Sequence, residues 1–334
     1  MRDFLHVRPR LASDADRFHD VESARRKSRE HSRKIYVRDS VRGLPRWTPF
    51  AKVAPSMPMD RNGYDFGTNW RSFIDHHLTD ESRQEALESL RAFLPHDSLE
   101  GLTFVDVGCG SGLFSWAAYK LGAKRVVSFD VNPNSVACCR QLRADEGAPD
   151  NWEVLEASIL DEHTVRDLGE FDFVYSWGVL HHTGKMWEAI ENSAALVKPG
   201  GLMWIAIYNR ADGIGLYSDG RVGSSRFWER EKIFYNRLPK TAQHAMDYAA
   251  ATGMIAGYLL SGHNPVREIR QHNQNRGMSW LVDIRDWLGG WPYEYASVEE
   301  IFRFVQERFG YSLENLISTN SLRNNEYLFR RPAQ

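Results

Sequence analysis

The strongest chemical signal in this sequence is an acid followed by three alternating glycines. Residues 103–112 read Thr-Phe-Val-Asp-Val-Gly-Cys-Gly-Ser-Gly, and residues 113–121 follow with the pattern of an amphipathic helix. Glycines allow positive φ angles and let a ligand approach the backbone closely. The helix start adds unpaired N–H groups and a partial positive charge. The segment therefore predicts a strand, a tight turn and a helix that together hold a nucleotide-like ligand.

Two common ligands of such turns are disfavoured by the residues that follow. Leu113 stands where a dinucleotide fingerprint requires its third glycine, and no lysine follows the glycines as it would in a phosphate-binding loop. An oxidoreductase is therefore disfavoured. A second predicted strand, residues 125–130, ends in Asp130. The distance in sequence from Asp106 to Asp130 is about the one at which a Rossmann unit places a carboxylate on a ribose diol. A carboxylate suits a diol because it accepts several hydrogen bonds.

Asp106, Gly108, Gly110 and Gly112 together resemble motif I of the class I S-adenosylmethionine (SAM)-dependent methyltransferases. The resemblance implies that the glycines pass close to the methionine part of SAM and that Asp106 helps to fix its amino group. Three later features are similar to the same family. They are the acid at position 130, the Leu-His-His sequence at 180–182 after a fourth predicted strand at 171–177, and the Lys-Pro-Gly-Gly sequence at 198–201 before a fifth at 202–207.

One departure from the family occurs after the third predicted strand, residues 152–160. The family often has Gly-Asp-Ala there, whereas this chain has Ala157-Ser158-Ile159 and then Asp161, so that Ser158 or Asp161 is left to contact the adenine. The resemblance implies SAM as cofactor and S-adenosylhomocysteine as its product. The implied cofactor-binding residues are Asp106, Gly108, Cys109, Gly110, Gly112, Asp130, Val131, Asn132, Ser158, Ile159, Ser176 and Trp177.

The fold implied by the resemblance is α/β, a Rossmann-like seven-stranded methyltransferase sheet. A mainly helical insertion follows strand five, because the alternating pattern stops there for far longer than an ordinary connection. A helix is predicted at 82–93, another at 297–309, and closing strands at 313–318 and 326–330. The expected domains are a basic N-terminal arm with an aromatic cover segment (1–80), the SAM-binding core (81–210), the helical cap or substrate insertion (211–296), and the closing helix and antiparallel strands (297–334).

Methyl transfer from a sulfonium is an in-line displacement, so the protein mainly positions the acceptor and excludes water. A base is needed when the acceptor is a hydroxyl, and histidine is the natural choice near neutral pH. The candidate catalytic residues, at the ends of strands four and five, are His182, His181 and Tyr208. The candidate substrate residues are Trp70, Asn209, Trp280, Asp286, Trp287, Tyr293 and Glu294.

The favoured function is methyl transfer to a small-molecule hydroxyl, for example on a sugar or a secondary metabolite. The residues after strand four lack the Asn/Asp-Pro-Pro-Tyr/Phe motif used on planar nitrogens, which disfavours nucleic-acid bases. The Lys- and Arg-rich N-terminal arm leaves open an RNA or protein methyltransferase. A non-catalytic SAM-binding protein is a further alternative.

Composition sets the remaining limits. The chain has 334 residues, 42% hydrophobic content and a net charge of −2, so nucleic acid is not the expected partner. The three cysteines, Cys109, Cys138 and Cys139, have no metal-ligand spacing, and no metal is expected. The N-terminus lacks the apolar core of a signal peptide, and no apolar run is long enough to span a bilayer. These features predict a cytoplasmic protein, and its oligomeric state stays open.

Overall fold

The computed structural model describes residues 67, 70, 71, 74, 78–94, 97–212, 223–276 and 280–333. Its centre is one seven-stranded sheet with the strand order β3-β2-β1-β4-β5-β7-β6. Most of the predicted arm and cover segment (1–80) lies outside the described residues, as do 213–222 and 277–279 of the predicted cap. The fold is the predicted α/β, Rossmann-like methyltransferase sheet.

Strands β1 to β5 pair in parallel, and β7 pairs antiparallel with both β5 and β6. The central strands are buried on both faces, as parallel strands covered by helices must be. The strands are β1 (Thr103–Val107), β2 (Arg125–Asp130), β3 (Trp152–Glu156), β4 (Phe171–Trp177), β5 (Val197–Tyr208), β6 (Ser312–Ile317) and β7 (Asn324–Arg330).

Helices cover both faces of the sheet. α1, α2 and α3 pack their apolar sides on one face, and α5 and α10 pack on the other. The core helices are α1 (Asp80–Phe93), α2 (Leu113–Lys120), α3 (Pro133–Asp145), α4 (Glu162–Leu168), α5 (Met186–Ala195) and α10 (Val298–Phe309). Between β5 and α10 lie α6 (Ser225–Arg237), α7 (Lys240–Leu260), α8 (Pro265–Arg276) and α9 (Trp280–Gly289).

Several predicted boundaries differ from the structure by a few residues, and three of the differences have clear local reasons. α1 begins at Asp80 because Thr79 caps it and forms a capping box with Ser82, the residue at which the helix was predicted to start. β3 ends at Glu156 because the next residues turn away from the sheet, with Asp161 N donating to the Ser158 carbonyl. β5 begins earlier than predicted, since the Lys-Pro-Gly-Gly segment already lies in the strand beside an irregular pairing with β4.

The helices that follow β5 have a small core of their own, which we call the cap core. It is formed by five buried side chains, namely Tyr235, Ala251, Trp280, Ile284 and Leu288. One carboxylate joins three of these helices: Asp247 of α7 is 1% exposed and accepts hydrogen bonds from the Tyr235 hydroxyl of α6 (2.7 Å) and from Arg285 Nε of α9 (3.0 Å). A buried carboxylate with two donors fixes the relative placement of the helices that donate to it.

Two negative findings apply to the described residues. None of their helices combines the length and apolar character that crossing a membrane requires. Their His, Cys, Asp and Glu side chains form no group of three or more arranged to hold a metal ion.

The Asp247 network yields a stability prediction. Replacing Asp247 with Ala leaves the Tyr235 hydroxyl and the Arg285 guanidinium without their buried acceptor, and we expect a loss of about 2–4 kcal/mol in the free energy of unfolding. Glu299→Ala is the matched control, because it removes an exposed pair with Arg303 and should cost less than about 0.5 kcal/mol. Denaturant titration measures both losses, and equal losses would contradict the role assigned to Asp247.

Candidate functional site

The glycine turn connects β1 to α2, and its backbone is sterically restricted to glycine. Gly108 and Gly110 have φ angles of 75° and 53°. A Cβ on Gly108 would lie 2.3 Å from the Val179 side chain, and one on Gly110 would lie 2.9 Å from the Trp70 indole. The N–H groups of Gly108 and Cys109 both donate to the Phe129 carbonyl of β2, at 2.8 and 3.0 Å. These two hydrogen bonds hold the turn against the neighbouring strand.

Asp130 at the end of β2 is oriented by backbone donors on both sides. Its carboxylate accepts from Gly110 N at 3.0 Å and from Asn132 N at 2.8 Å. Burial raises the pKa of Asp130, and these backbone hydrogen bonds oppose the rise. Each carboxylate oxygen can accept more than one hydrogen bond, so the group can still bind a ligand. The acid predicted from the sequence therefore lies directly beside the glycine turn.

Asp106 lies at the start of a buried hydrogen-bonded chain beneath the turn. Ser115 Oγ donates to Asp106 Oδ2 at 2.6 Å, Ser128 Oγ donates to Ser115 Oγ at 2.7 Å, and Trp152 Nε1 donates to Ser128 Oγ at 2.9 Å. Burial raises the pKa of Asp106 to about 7, with the nearby charge of Asp130 adding to the rise and the Ser115 hydrogen bond opposing it. The chain links α2, β1, β2 and β3 behind the turn.

The remaining predicted cofactor residues lie at the same edge of the sheet. Val131 is 65% exposed, and Asn132 caps α3 through its side chain. Ser158 Oγ accepts from Leu160 N, and the carboxylate of Asp161 caps α4, so the side chains of both candidates for the adenine contact make local hydrogen bonds. Ile159 is buried.

Two residues at the end of β4 complete this edge. Ser176 is fully buried, and its Oγ donates to the Val107 carbonyl of β1 at 3.0 Å. The Trp177 ring is 41% exposed, and a hydrogen bond from its side chain lowers the pKa of Glu326, which burial raises overall. Ser176 therefore joins two strands, while Trp177 presents its ring to solvent at the rim.

The two histidines after β4 have different environments. His181 is completely buried, and its Nδ1 accepts from Tyr208 N at 3.3 Å. Burial and the neighbouring His182 hold the pKa of His181 well below its usual value. His181 was predicted as a catalytic candidate, but in the structure it anchors the end of β5 to the turn after β4.

His182 is held by the segment that returns from the cap. Its Nδ1 lies 2.6 Å from the Pro292 carbonyl oxygen. A carbonyl can only accept, so Nδ1 carries the proton and Nε2 is the basic nitrogen. Burial lowers the pKa of His182 to about 4, opposed by the Pro292 hydrogen bond and reinforced by Lys232. The imidazole is therefore neutral near pH 7. Its pKa is lower than the ordinary histidine pKa of 6.5, on which its prediction as a base from the sequence rests.

The ring of Tyr208 lies beside His182 and is surrounded by other aromatic rings. Ring centroids of His182, Tyr293 and Trp287 lie 5.4, 5.1 and 6.2 Å from that of Tyr208. Trp228 contacts Trp287 at 5.2 Å. We call Tyr208, Trp287 and Tyr293 the aromatic wall. The structure thus brings together three of the residues predicted for the acceptor site, although they are far apart in the sequence.

Three residues predicted in the substrate wall lie elsewhere. Trp70 packs against Gly110 in the glycine turn, and Trp280 belongs to the cap core. The amide of Asn209 donates to the Thr319 and Ser321 carbonyls and accepts from Asn325, so it secures the connection between β6 and β7. The neighbouring residues in the sequence do not indicate where these three side chains pack, because each contacts an element that is distant along the chain.

Glu294 and Asp286 are the acidic residues predicted near the site. Glu294 Oε2 accepts from Met186 N at 3.0 Å, and its backbone N donates to the His181 carbonyl at 2.9 Å. Burial raises the pKa of Glu294 to about 7. Asp286, on α9, is half-buried and acts electrostatically on Lys232.

Sequence reasoning missed Lys232, although it is the most buried cation near the wall. It is 1% exposed, and its Nζ lies 4.5 Å from the ring centroid of Trp287 and 5.1 Å from that of Tyr293. Its position four residues after Trp228 and three before Tyr235 puts it on the apolar stripe of α6, and that spacing is the signal in the sequence. Both carboxylate oxygens of its neighbour Glu231 are buried without a hydrogen-bond partner among the described residues.

Comparison with known proteins points to one activity. A family described as "Methyltransferase domain" matches residues 105–205. The chain is 31% identical over 185 residues to a ubiquinone biosynthesis O-methyltransferase of Chelativorans sp., covering 55% of this chain and 71% of that protein. A ubiquinone biosynthesis O-methyltransferase of Brucella ovis is 27% identical over 186 residues, covering 55% and 73%.

Solved structures of low sequence identity are also similar. Magnesium protoporphyrin IX methyltransferase of Synechocystis PCC 6803 has 16% identity and a TM-score of 0.46, and the match covers 79% of this chain and 93% of that chain. A SAM-dependent methyltransferase of Mesorhizobium loti has 17% identity and a TM-score of 0.43, with 75% and 100% covered.

The raised pKa of Asp106 predicts a pH dependence of stability. The pKa of Asp106 is about 7 in the folded state and near 3.8 in the unfolded chain, so between these values the folded state holds a proton that the unfolded state does not. The stability that this proton contributes is present below the lower value and is lost as the pH rises through the upper one. Relative to Asp106→Asn, the free energy of unfolding of the ligand-free protein should fall by up to about 4 kcal/mol between about pH 4 and about pH 7.

A second carboxylate supplies the control for this measurement. Burial of Asp172 raises its pKa, but hydrogen bonds from Thr103 and Lys198 outweigh that and leave the pKa lowered. Relative to Asp172→Asn, the protein should therefore lose stability as the pH falls, the opposite direction. Denaturant titrations across the pH range measure both differences, and a flat difference for Asp106 would contradict its buried, protonated state.

Proposed function

The chain belongs to the class I SAM-dependent methyltransferases, and on that premise we propose that it transfers the methyl group of SAM to a hydroxyl oxygen of a small acceptor. The acceptor would lie between the ends of β4 and β5 and the aromatic wall. The observation that carries this proposal is the His182 imidazole, which the Pro292 carbonyl holds as the Nδ1–H tautomer beside Tyr208.

The residues of the glycine turn fit SAM. Gly108 and Gly110 hold positive φ angles and have no room for a side chain, so the turn keeps the tight backbone course that the family's cofactor turn requires. Asp130, oriented by Gly110 N and Asn132 N, is the proposed partner of the ribose hydroxyls. Asp106 is the proposed partner of the amino group, because a cation bound beside it would lower its raised pKa and favour the charged carboxylate. When bound, SAM supplies a methyl group already activated on a sulfonium.

The chain's own task at the acceptor is to position a hydroxyl and remove its proton. In the proposal, His182 Nε2 receives that proton while Nδ1 keeps its hydrogen bond to the Pro292 carbonyl. Because burial holds the His182 pKa at about 4, the imidazole is a weak base, which favours an acidic hydroxyl such as a phenol or an enol over that of a sugar. The aromatic wall would exclude water and pack against a planar ring.

The relatives support oxygen as the accepting atom, since they are O-methyltransferases of ubiquinone biosynthesis. The test is a transfer assay with SAM labelled in its methyl group and a panel of phenols, catechols, sugars, amines, thiols and RNA. We expect label on the oxygen of a ring hydroxyl. Label found only on nitrogen, on sulfur or in RNA would overturn the proposal.

The proposal predicts the effect of changing His182. His182→Asn keeps a donor near the Pro292 carbonyl but removes the distal nitrogen, so we expect turnover to fall by about 10²–10⁴-fold. The affinity for SAM, measured by calorimetry, should stay nearly unchanged because the residue lies outside the glycine turn.

Two further variants serve as controls for this result. His182→Ala should lose at least as much turnover as His182→Asn, and His163→Ala, on the exposed helix α4, should leave turnover unchanged. Near wild-type turnover of His182→Asn would mean that His182 only holds the returning segment in place.

A further inference from the structure

Lys232 is a buried cation that has no anion at contact distance among the described residues. Its side chain is 1% exposed, and no described carboxylate forms an ion pair with it. Its Nζ lies over the rings of Trp287 and Tyr293, at 4.5 and 5.1 Å from their centroids. Two cation–π contacts recover less free energy than the transfer of an ammonium out of water costs. The site therefore holds a positive charge that a bound ligand could balance.

The placement of Lys232 connects this charge to the proposed acceptor position. Trp287 and Tyr293, which contact its Nζ, are two of the three members of the aromatic wall, and the third, Tyr208, lies beside His182. Lys232 also acts electrostatically on His182, and burial is the larger cause of the low pKa there. The ammonium thus contacts two of the rings that border the proposed acceptor.

Nearby carboxylates keep Lys232 charged without neutralising it at contact distance. Burial lowers the pKa of Lys232 to about 8, and Glu231 and Asp286 oppose this fall. The side chain is therefore mostly protonated near pH 7. Burial also raises the pKa of Glu231 to about 7, so that Glu231 carries only part of a negative charge there.

We infer that Lys232 determines acceptor specificity by binding a negatively charged oxygen of a compact ring compound. This inference rests on the proposed function, because it places the acceptor at the aromatic wall. The oxyanion has two sources with the same chemistry: the ionised hydroxyl that receives the methyl group, or a separate carboxylate on the same ring. A buried ammonium would stabilise either one, and it would exclude neutral rings of similar shape.

The test compares ligands that differ in charge but little in shape, using protein saturated with S-adenosylhomocysteine. One pair is benzoate and benzamide, and the other is 4-nitrophenolate and 4-nitroanisole. Calorimetry should show at least one charged compound binding about tenfold or more tightly than its neutral partner. A preference confined to benzoate identifies the separate carboxylate, and one for 4-nitrophenolate identifies the ionised hydroxyl.

Lys232→Met removes the charge and keeps most of the side-chain volume. We expect it to reduce the charged-over-neutral preference to less than about twofold and to leave the melting temperature unchanged or higher, because a buried ion is replaced by an apolar group. The matched control is Lys120→Met. Lys120 also lies over aromatic rings, at 5.8 Å from Trp116 and 5.7 Å from Tyr119, but it belongs to α2 and does not contact the aromatic wall. It should keep the preference intact.

The contrary outcomes are separable from failure of the methyl transfer itself. Equal affinity within both pairs, no binding of any of the four compounds, or a preference that survives in Lys232→Met would overturn the inference. The labelled-methyl assay is independent of these results and can still detect methyl transfer to a hydroxyl. A melting temperature lowered by Lys232→Met together with a surviving preference would assign Lys232 a purely structural part.

Discussion

The hydrogen bonds between the segment returning from the cap and the ends of β4 and β5 are the constraint on which the proposed acceptor site depends. The Pro292 carbonyl binds His182, Glu294 N donates to the His181 carbonyl, and Ala296 N donates to the Tyr208 carbonyl. These bonds set the position of Tyr293, which lies between the first two of them in sequence, against the Tyr208 ring. The long insertion is thereby joined to the ends of β4 and β5.

The site concentrates titratable groups in environments that oppose their charges. Burial raises the pKa of Asp106 and Glu294 to about 7 and lowers that of His182 to about 4. A protein selected for stability alone would place apolar residues at such positions, so a cluster of them at one edge of the sheet is typical of a functional site. In the proposed function, Asp106 is the partner of the donor's amino group and His182 lies beside the acceptor. The charges that the protein leaves unbalanced are those that a cationic donor and an acidic acceptor would balance.

The sequence predicted the sheet and the glycine turn well because both are encoded locally. Alternating glycines, an acid at each strand end and apolar runs specify the turn and the strands with few distant contacts, and the fold and family were confirmed. The acceptor side was predicted less well. Trp287 and Tyr293 do meet Tyr208, yet Trp70, Trp280 and Asn209 point elsewhere, since their directions depend on how the cap, the turn and the β6–β7 connection pack. Lys232 was missed because a lysine in a helix is ordinarily a surface residue, and only its place on an apolar stripe distinguishes it.

The proposed function requires that the methyl group be delivered toward the aromatic wall, between the end of β5 and the cap. A crystal structure of the protein with S-adenosylhomocysteine tests it most directly, because the sulfur marks the point from which the methyl departs. We expect the adenosine part beside Asp130 and the sulfur facing the space bordered by His182, Tyr208 and Tyr293. A sulfur that faces bulk solvent, or one separated from that space by ordered protein, would contradict the claim.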